Sequence, residues 1–179
     1  MPAAPLPILH MQMYNFLTMV NYEVSVKINV PAEQACRLAA SPEYAEWEAK
    51  NEGAVSAKAT VKEQSGNHLV LVIDRMDYSR GPGGKKTSKT ERNVITQEWD
   101  LAAMSNTWRC RVPGPLEKLV DIHGVMKIIP DGDTCTLAEK GSVTIKAPII
   151  GKAVEKSIAA DIKRDFPKKT KFFEEKLGK

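Results

Sequence analysis

The chain has 179 residues, of which 42% are hydrophobic and 27% charged, with a formal net charge of +4. That length fits one domain able to bury a substantial core without staples, and the proportions are ordinary for a soluble protein. The small positive charge would suit an anionic partner or a membrane surface, but the charges are interspersed through much of the chain, as on a solvated exterior.

Cys36, Cys110 and Cys135 form an odd set without a CxxC pair, so neither a zinc site nor a disulfide framework is legible, and no metal or cofactor is expected. An odd cysteine count is compatible with a reducing compartment. The first basic residue is Lys27, so the N-terminus lacks the basic region of a secretory signal and the arginines of a transit peptide. The apolar stretch 8–20, broken by His10, Gln12 and Asn15, is too short to span a bilayer. A cytoplasmic location is the expectation.

Pro2, Pro5 and Pro7 make residues 1–18 an extended tail, and the domain is expected to run over residues 19–179. Tyr22, Val24, Val26, Ile28 and Val30 alternate with polar residues, the period of a half-buried strand. Pro31 and Pro42 each open a short helix at its first position, where the missing N–H costs nothing. Val55, Ala57, Ala59 and Val61 make the second strand. Ser65-Gly66-Asn67 turns the chain, and His68 to Met76 reads as a strand buried on both faces. Ser79 to Lys89 reads as a loop. Thr90 to Trp99, Thr107 to Val112, Leu119 to Ile129 and Thr134 to Ala147 supply four further strands. After Pro148, Val154, Ile158, Ile162, Phe166, Phe173 and Leu177 draw one apolar stripe down a long helix. Pro167 lies within that stripe and predicts a bend.

The run Val30-Pro31-Ala32-Glu33-Gln34-Ala35, followed by Ala40-Ser41-Pro42-Glu43-Tyr44, resembles the opening of START-like proteins, the superfamily of Bet v 1 and the polyketide cyclases. The run from Ile145 to Glu155, Gly114-Pro115 and the hairpin from Ile129 to Thr134 are similar to an uncharacterised bacterial branch of it, a domain-of-unknown-function family. The resemblance covers the chain from about Asn21 onward. It implies an α+β helix-grip fold, with a curved seven-stranded antiparallel sheet around a long C-terminal helix and two short helices after strand one. It also implies a hydrophobic cavity. No catalytic residue travels with these motifs.

Within such a fold the concave face and the helix stripe face each other. The expected pocket residues are Leu71, Ile73, Ile95, Gln97, Trp99 and Trp108, then Cys110, Ile122 and Met126, and Ile158, Ile162 and Phe166 from the helix. Cys110 shares a strand face with Trp108 and Val112 and reads as a structural thiol. Asn93 and Gln97 share a face with Ile95 and Trp99, so one amide could hydrogen-bond a ligand.

Gly81-Pro82-Gly83-Gly84-Lys85-Lys86-Thr87 looks like a phosphate loop and fails as one, since Lys86 stands where Ser or Thr should follow the Gly-Lys pair. It reads instead as a mobile hairpin, or as a basic lip whose Arg80, Lys85, Lys86 and Lys89 touch an anionic membrane transiently. Asp121 and His123 share one face of a strand whose other face is apolar, so the pair points to solvent.

The reading that follows is a binder of a hydrophobic or amphipathic small molecule, such as a lipid or polyketide-like compound. A cyclase or dehydratase is the first alternative and requires an ionisable group on the concave face. An RNA- or ribosome-binding module using the basic loop and Lys168, Lys169, Lys171, Lys176 and Lys179 ranks third, because Phe172 and Phe173 read as helix core rather than as stacking platforms. The sequence leaves the oligomeric state open.

Overall fold

A computed structural model describes residues 19–148 and 150–178; the tail expected over residues 1–18 lies outside them. Strand β1 (Val20–Ile28) is followed by helices α1 (Ala32–Ala39) and α2 (Pro42–Asn51). Six strands then run consecutively: β2 (Ser56–Ser65), β3 (His68–Arg80), β4 (Lys86–Asp100), β5 (Ser105–Arg111), β6 (Val120–Asp131) and β7 (Thr134–Ile145). Helix α3 (Gly151–Asp165), a 3-10 turn (Phe166–Lys168) and helix α4 (Lys169–Leu177) complete the order. The sheet order is β1-β7-β6-β5-β4-β3-β2, antiparallel throughout, so a meander is closed at one edge by the first strand. This is the helix-grip architecture.

Local chemistry explains the junctions. Ser41 caps α2, its Oγ accepting from the Tyr44 N–H at 3.2 Å, and Pro42 occupies the first helical position. Pro31 stands one residue earlier than expected, as the cap of α1. The expected bend at Pro167 is a 3-10 turn: α3 stops at Asp165 and α4 starts at Lys169, with helical backbone angles kept at Asp165, Phe166, Lys168 and Lys169. Two other expectations need correction. Val70 and Val72 are half-buried while Leu69, Leu71 and Ile73 are buried, so β3 alternates instead of being covered on both faces. Ser79 to Lys89 is a hairpin with only the 3-10 turn Pro82–Gly84 between β3 and β4, tied across by Ser79 Oγ and Thr87 Oγ1 at 3.2 Å.

The register lays Leu71, Gln97, Trp108, Gly124, Gly141 and Tyr22 across the sheet as one row. The two glycines are what allow the aromatics in that row. A Cβ on Gly124 would sit 2.8 Å from the Trp108 ring, and one on Gly141 would collide with the Tyr22 ring. Both rings therefore lie flat over bare backbone on the neighbouring strand.

One end of the concave face is closed. Tyr44, Phe172 and Phe173 pack there, with Tyr44 5.7 and 5.1 Å from the two phenylalanines. Trp47 stacks on Phe172 at 4.3 Å, and Ile28, Leu71, Trp99, Leu137 and Phe166 are buried beneath. The other end is roofed by α3, through Ile158, Ile162 and Ala159 against Tyr22, Trp108 and Ile122. Gly141→Ala is expected to lower stability by about 1–3 kcal/mol through overpacking against Tyr22. Urea denaturation of the variant checks this, and an unchanged midpoint would mean that the ring moves aside freely.

Candidate ligand cavity

Between α3 and the open half of the sheet lies a cavity of about 310 Å³, near the lower end of the range of about 300–1,000 Å³ typical of small-molecule sites. Nine of the twelve expected pocket residues line it: Ile73, Ile95, Gln97, Trp108 and Cys110, with Ile122, Met126, Ile158 and Ile162. Leu71, Trp99 and Phe166 do not. They belong to the closed core, at 0%, 1% and 1% exposure, because α1, α2 and α4 cover that end of the sheet. Trp99 is held there by donating from Nε1 to Gln97 Oε1 at 3.1 Å. Leu116, Leu119 and Ile150 line the cavity and are also exposed, which places them at its mouth.

The wall is more polar than the sequence reading held. Arg75 on β3 donates to Glu52 at the C-cap of α2 at 2.7 Å and to Asp77 at 2.8 and 2.7 Å, and Asn93 Nδ2 donates to Asp77 at 2.7 Å. Deeper in, Tyr22 Oη donates to Glu139 Oε1 at 2.7 Å and Tyr44 Oη to Glu48 Oε1 at 3.1 Å. Lys169 of α4 is paired with Glu48, lies 3.8 Å from Glu139 and sits 4.3 Å over the Phe166 ring. Glu48, Glu52, Arg75, Asp77 and Glu139 all border the cavity. A signal for two of them was present in the sequence. Arg75 continues the phase of Leu69, Leu71 and Ile73, and Glu139 that of Cys135 and Leu137, so both point inward.

The basic lip also changes character. Arg80 donates to Asp161 at 2.5 Å, to Ser157 Oγ at 2.7 Å and to the Gly84 carbonyl at 3.0 Å, clasping the hairpin to α3. Gly84 makes that approach possible, since a Cβ there would lie 2.5 Å from Ser157 Cβ. The hairpin is thus docked, and Arg80 is committed to it. Lys85, Lys86 and Lys89 remain exposed. Asp121 and His123 meet at 3.2 Å, are close to half exposed, and lie outside the cavity. Cys110, expected both as a structural thiol and as a pocket residue, borders the cavity, where it keeps some exposure.

A family model described as "Protein of unknown function (DUF2505)" matches residues 23–177. The chain belongs to the DUF2505 family. No curated protein matches it in sequence. Among solved structures it is similar to the Zhui aromatase/cyclase of a Streptomyces species, with 13% identity, 86% of this chain and 90% of that one covered, and a TM-score of 0.59. It is similar to TTHA0849 of Thermus thermophilus at 17% identity, 87% and 95% coverage and a TM-score of 0.58. A third likeness is to norcoclaurine synthase of Thalictrum flavum, at 14% identity, 94% and 97% coverage and a TM-score of 0.52. At such identities these likenesses show the fold, which is Bet v 1-like. Among the described residues of this DUF2505 protein no helix is long and apolar enough to cross a membrane, and no three His, Cys, Asp or Glu side chains gather as a metal site.

Burial dominates the electrostatics of the wall. It raises the Glu139 carboxyl above the ordinary range, and Glu48 adds to the rise while Lys169 and the Tyr22 hydrogen bond oppose it. Glu52 is raised in the same way, by burial first, against the pull of Arg75. Burial works against the charge of Lys169, but Glu48, Tyr44 and Glu139 outweigh it and hold the ammonium well above its usual value. Burial pushes the Cys110 thiol up to about 12, which disqualifies it as a nucleophile at neutral pH.

A carboxyl that keeps its proton to higher pH when folded binds more protons in the native than in the unfolded state. Its contribution to stability is therefore complete below the ordinary value of 4.5 and is lost as pH rises through the raised one. Glu139→Gln, neutral at every pH, should give a shallower fall of urea stability above 4.5 than the wild type. An identical slope in both proteins would show that Glu139 is ionised in the fold.

Proposed function

We propose that this DUF2505 protein binds a hydrophobic or amphipathic small molecule, such as a lipid or polyketide-like compound, between its sheet and α3. The observation that carries the reading is the cavity of about 310 Å³ with Ile122, Ile158 and Ile162 on its wall and Leu116, Leu119 and Ile150 at its mouth. Burying about 300 Å² of apolar ligand surface at ~25 cal/mol per Å² supplies roughly 7.5 kcal/mol before association costs, so a few polar contacts suffice for micromolar affinity. Three free cysteines suit a cytoplasmic setting.

Ile162→Trp tests the container directly. In a pocket the indole occupies the space, so uptake of an apolar fluorescent probe should be abolished with little loss of stability. In a close-packed region the same change should overpack and cost about 1–3 kcal/mol. Destabilisation of that size in a protein whose wild type never takes up the probe would end the container reading.

A cyclase- or dehydratase-type enzyme is the second reading, and one observation favours it. Glu139 borders the cavity, accepts from Tyr22 and has its carboxyl raised above the ordinary range by burial, so it is placed to give or take a proton at a bound molecule. A nucleic-acid role has less support. Phe172 and Phe173 are buried, Lys169 is buried against Glu48, and Lys168, Lys171 and Lys176 pair with Asp165, Glu175 and Glu43.

Transient contact with an anionic membrane remains part of the proposal, carried by Lys85, Lys86 and Lys89 without Arg80. Changing those three lysines to Ser should weaken co-sedimentation with anionic vesicles at low salt, and the wild-type binding should fade toward physiological salt, where screening sets in beyond about 8 Å. Equal binding by both proteins would remove the hairpin from any membrane contact.

A further inference from the structure

The chain as a whole carries +4, yet carboxylates outnumber cations around its cavity. Seven carboxylates border it, Glu48 of α2, Glu52 at its C-cap, three from the sheet and two from α3, against the bordering cations Arg75, Arg80 and Lys86 and the three that pair with the carboxylates from behind, Lys169, Arg164 and Lys168. The cations are spent or peripheral. Arg75 is engaged by Glu52 and Asp77, Arg80 by Asp161, and exposed Lys86 reaches the Glu52 carbonyl at 3.3 Å. An anionic head group entering this space would meet carboxylates, and both arginines on its wall, Arg75 and Arg80, are already paired.

A second and independent observation points to what the cavity does accept. Asn106 lines it, is 2% exposed, and has neither side-chain atom partnered among the described residues. The Oδ1 of Asn93 and the Nε1 of Trp108, both on the cavity wall, are likewise buried and unpartnered. A buried amide left without partners costs free energy unless something else supplies them. Asn106 also stands in one row with Met126 and Glu139, two strands apart, so at about 4.8 Å per strand the amide and the carboxyl flank the buried Met126 on one stretch of the cavity wall. Two acceptors, Asn106 Oδ1 and Asn93 Oδ1, and an excess of carboxylates answer an ammonium. The donors Trp108 Nε1 and Asn106 Nδ2 answer a hydroxyl or ether oxygen near it.

We propose that the ligand of this cavity is a cationic amphiphile, an amine on an apolar body, whose head group is held by Asn106 and Glu139 while its body lies along Ile122, Ile158 and Ile162. The proposal rests on the reading of the cavity as a ligand site and names the chemistry of its occupant. Burial raises the Glu52 and Glu139 carboxyls above the ordinary range, against the pull of Arg75 and Lys169, and an ammonium beside them favours their ionised form.

Three probes with the same tail and different heads separate the possibilities: decylamine, decan-1-ol and decanoate, titrated calorimetrically at neutral pH below their aggregation limits. Decylamine is expected to bind about tenfold or more tightly than decanoate. In Asn106→Leu and in Glu139→Gln, each checked for a native circular dichroism spectrum, that preference should shrink to about threefold or less. Decan-1-ol or decanoate binding as tightly as the amine overturns the cationic head group and leaves the container standing. Undiminished preference in both variants overturns it as well, by placing the amine elsewhere. Binding of none of the three removes the container itself. The comparison on the wild type needs no variant to fold.

Discussion

The buried ammonium of Lys169 joins parts of the chain that are remote in sequence. It reaches Glu48 on α2 and Glu139 on β7, while Tyr22 from β1 donates to the same Glu139 and Tyr44 from α2 to the same Glu48. Desolvating such charges is expensive, and it is offset only when the ions meet one another with their remaining hydrogen-bonding capacity used. The geometry here does this from four elements at once, with the Phe166 ring beneath the ammonium. A lysine in that place also fixes where the last helix must begin. The 3-10 turn at Pro167 ends α3 and α4 starts at Lys169 itself, so Phe172 and Phe173 follow into the closed core.

The cavity is the consequence of an asymmetry in what covers the sheet. One end of the concave face receives the side chains of α1, α2 and α4, including a cluster of four aromatic rings. The other receives α3, with Ala45, Glu48 and Ala49 of α2 along one side of the cavity. Helix α3 packs through Ile158, Ile162 and Ala159 and is held besides by polar contacts: Glu155 Oε1 accepts from the Ile145 N–H at 2.8 Å, and Arg80 and Gly84 from the hairpin engage Asp161 and Ser157. Such tethers fix its position without filling the space beneath it. Gly124 and Gly141 lower the floor further, since their rows carry rings laid flat where two more side chains would stand.

The polarity of the cavity wall matters for either functional reading. A purely apolar wall would bind by area alone and discriminate little between ligands of similar size, whereas buried polar groups that lose their partners impose a penalty on every molecule that fails to match them. Asn106, Glu139 and the Arg75 cluster are the polar groups through which a ligand site here would gain that kind of selectivity. The same Glu139, hydrogen-bonded to Tyr22, is the group through which a binding site of this shape would become a catalytic one.

Periodicity determined most of the architecture. Alternation in β1 and in the later strands, the proline-led helices and the stripe from Val154 to Leu177 each depend on local spacing, and local spacing is written in the chain. The apolar wall was legible for the same reason: Ile95, Trp108, Cys110 and Ile122 alternate inward, and Ile158 and Ile162 repeat along a helix face. Three residues on those same faces, Leu71, Trp99 and Phe166, nonetheless fell in the core, because alternation tells which side a residue faces and not which part of that side stays uncovered. Arg80 read as a lip residue because its partner Asp161 lies 81 positions away, and Lys169 read as part of a solvated tail because Glu48 lies 121 positions away. Inward-facing charges follow the strand period like any side chain, but their partners are set by register and helix placement. The sequence by itself thus determined the fold and the apolar half of the cavity, while the tertiary structure decided its extent and its acidic half, since these depend on pairs of charges that only folding brings within reach.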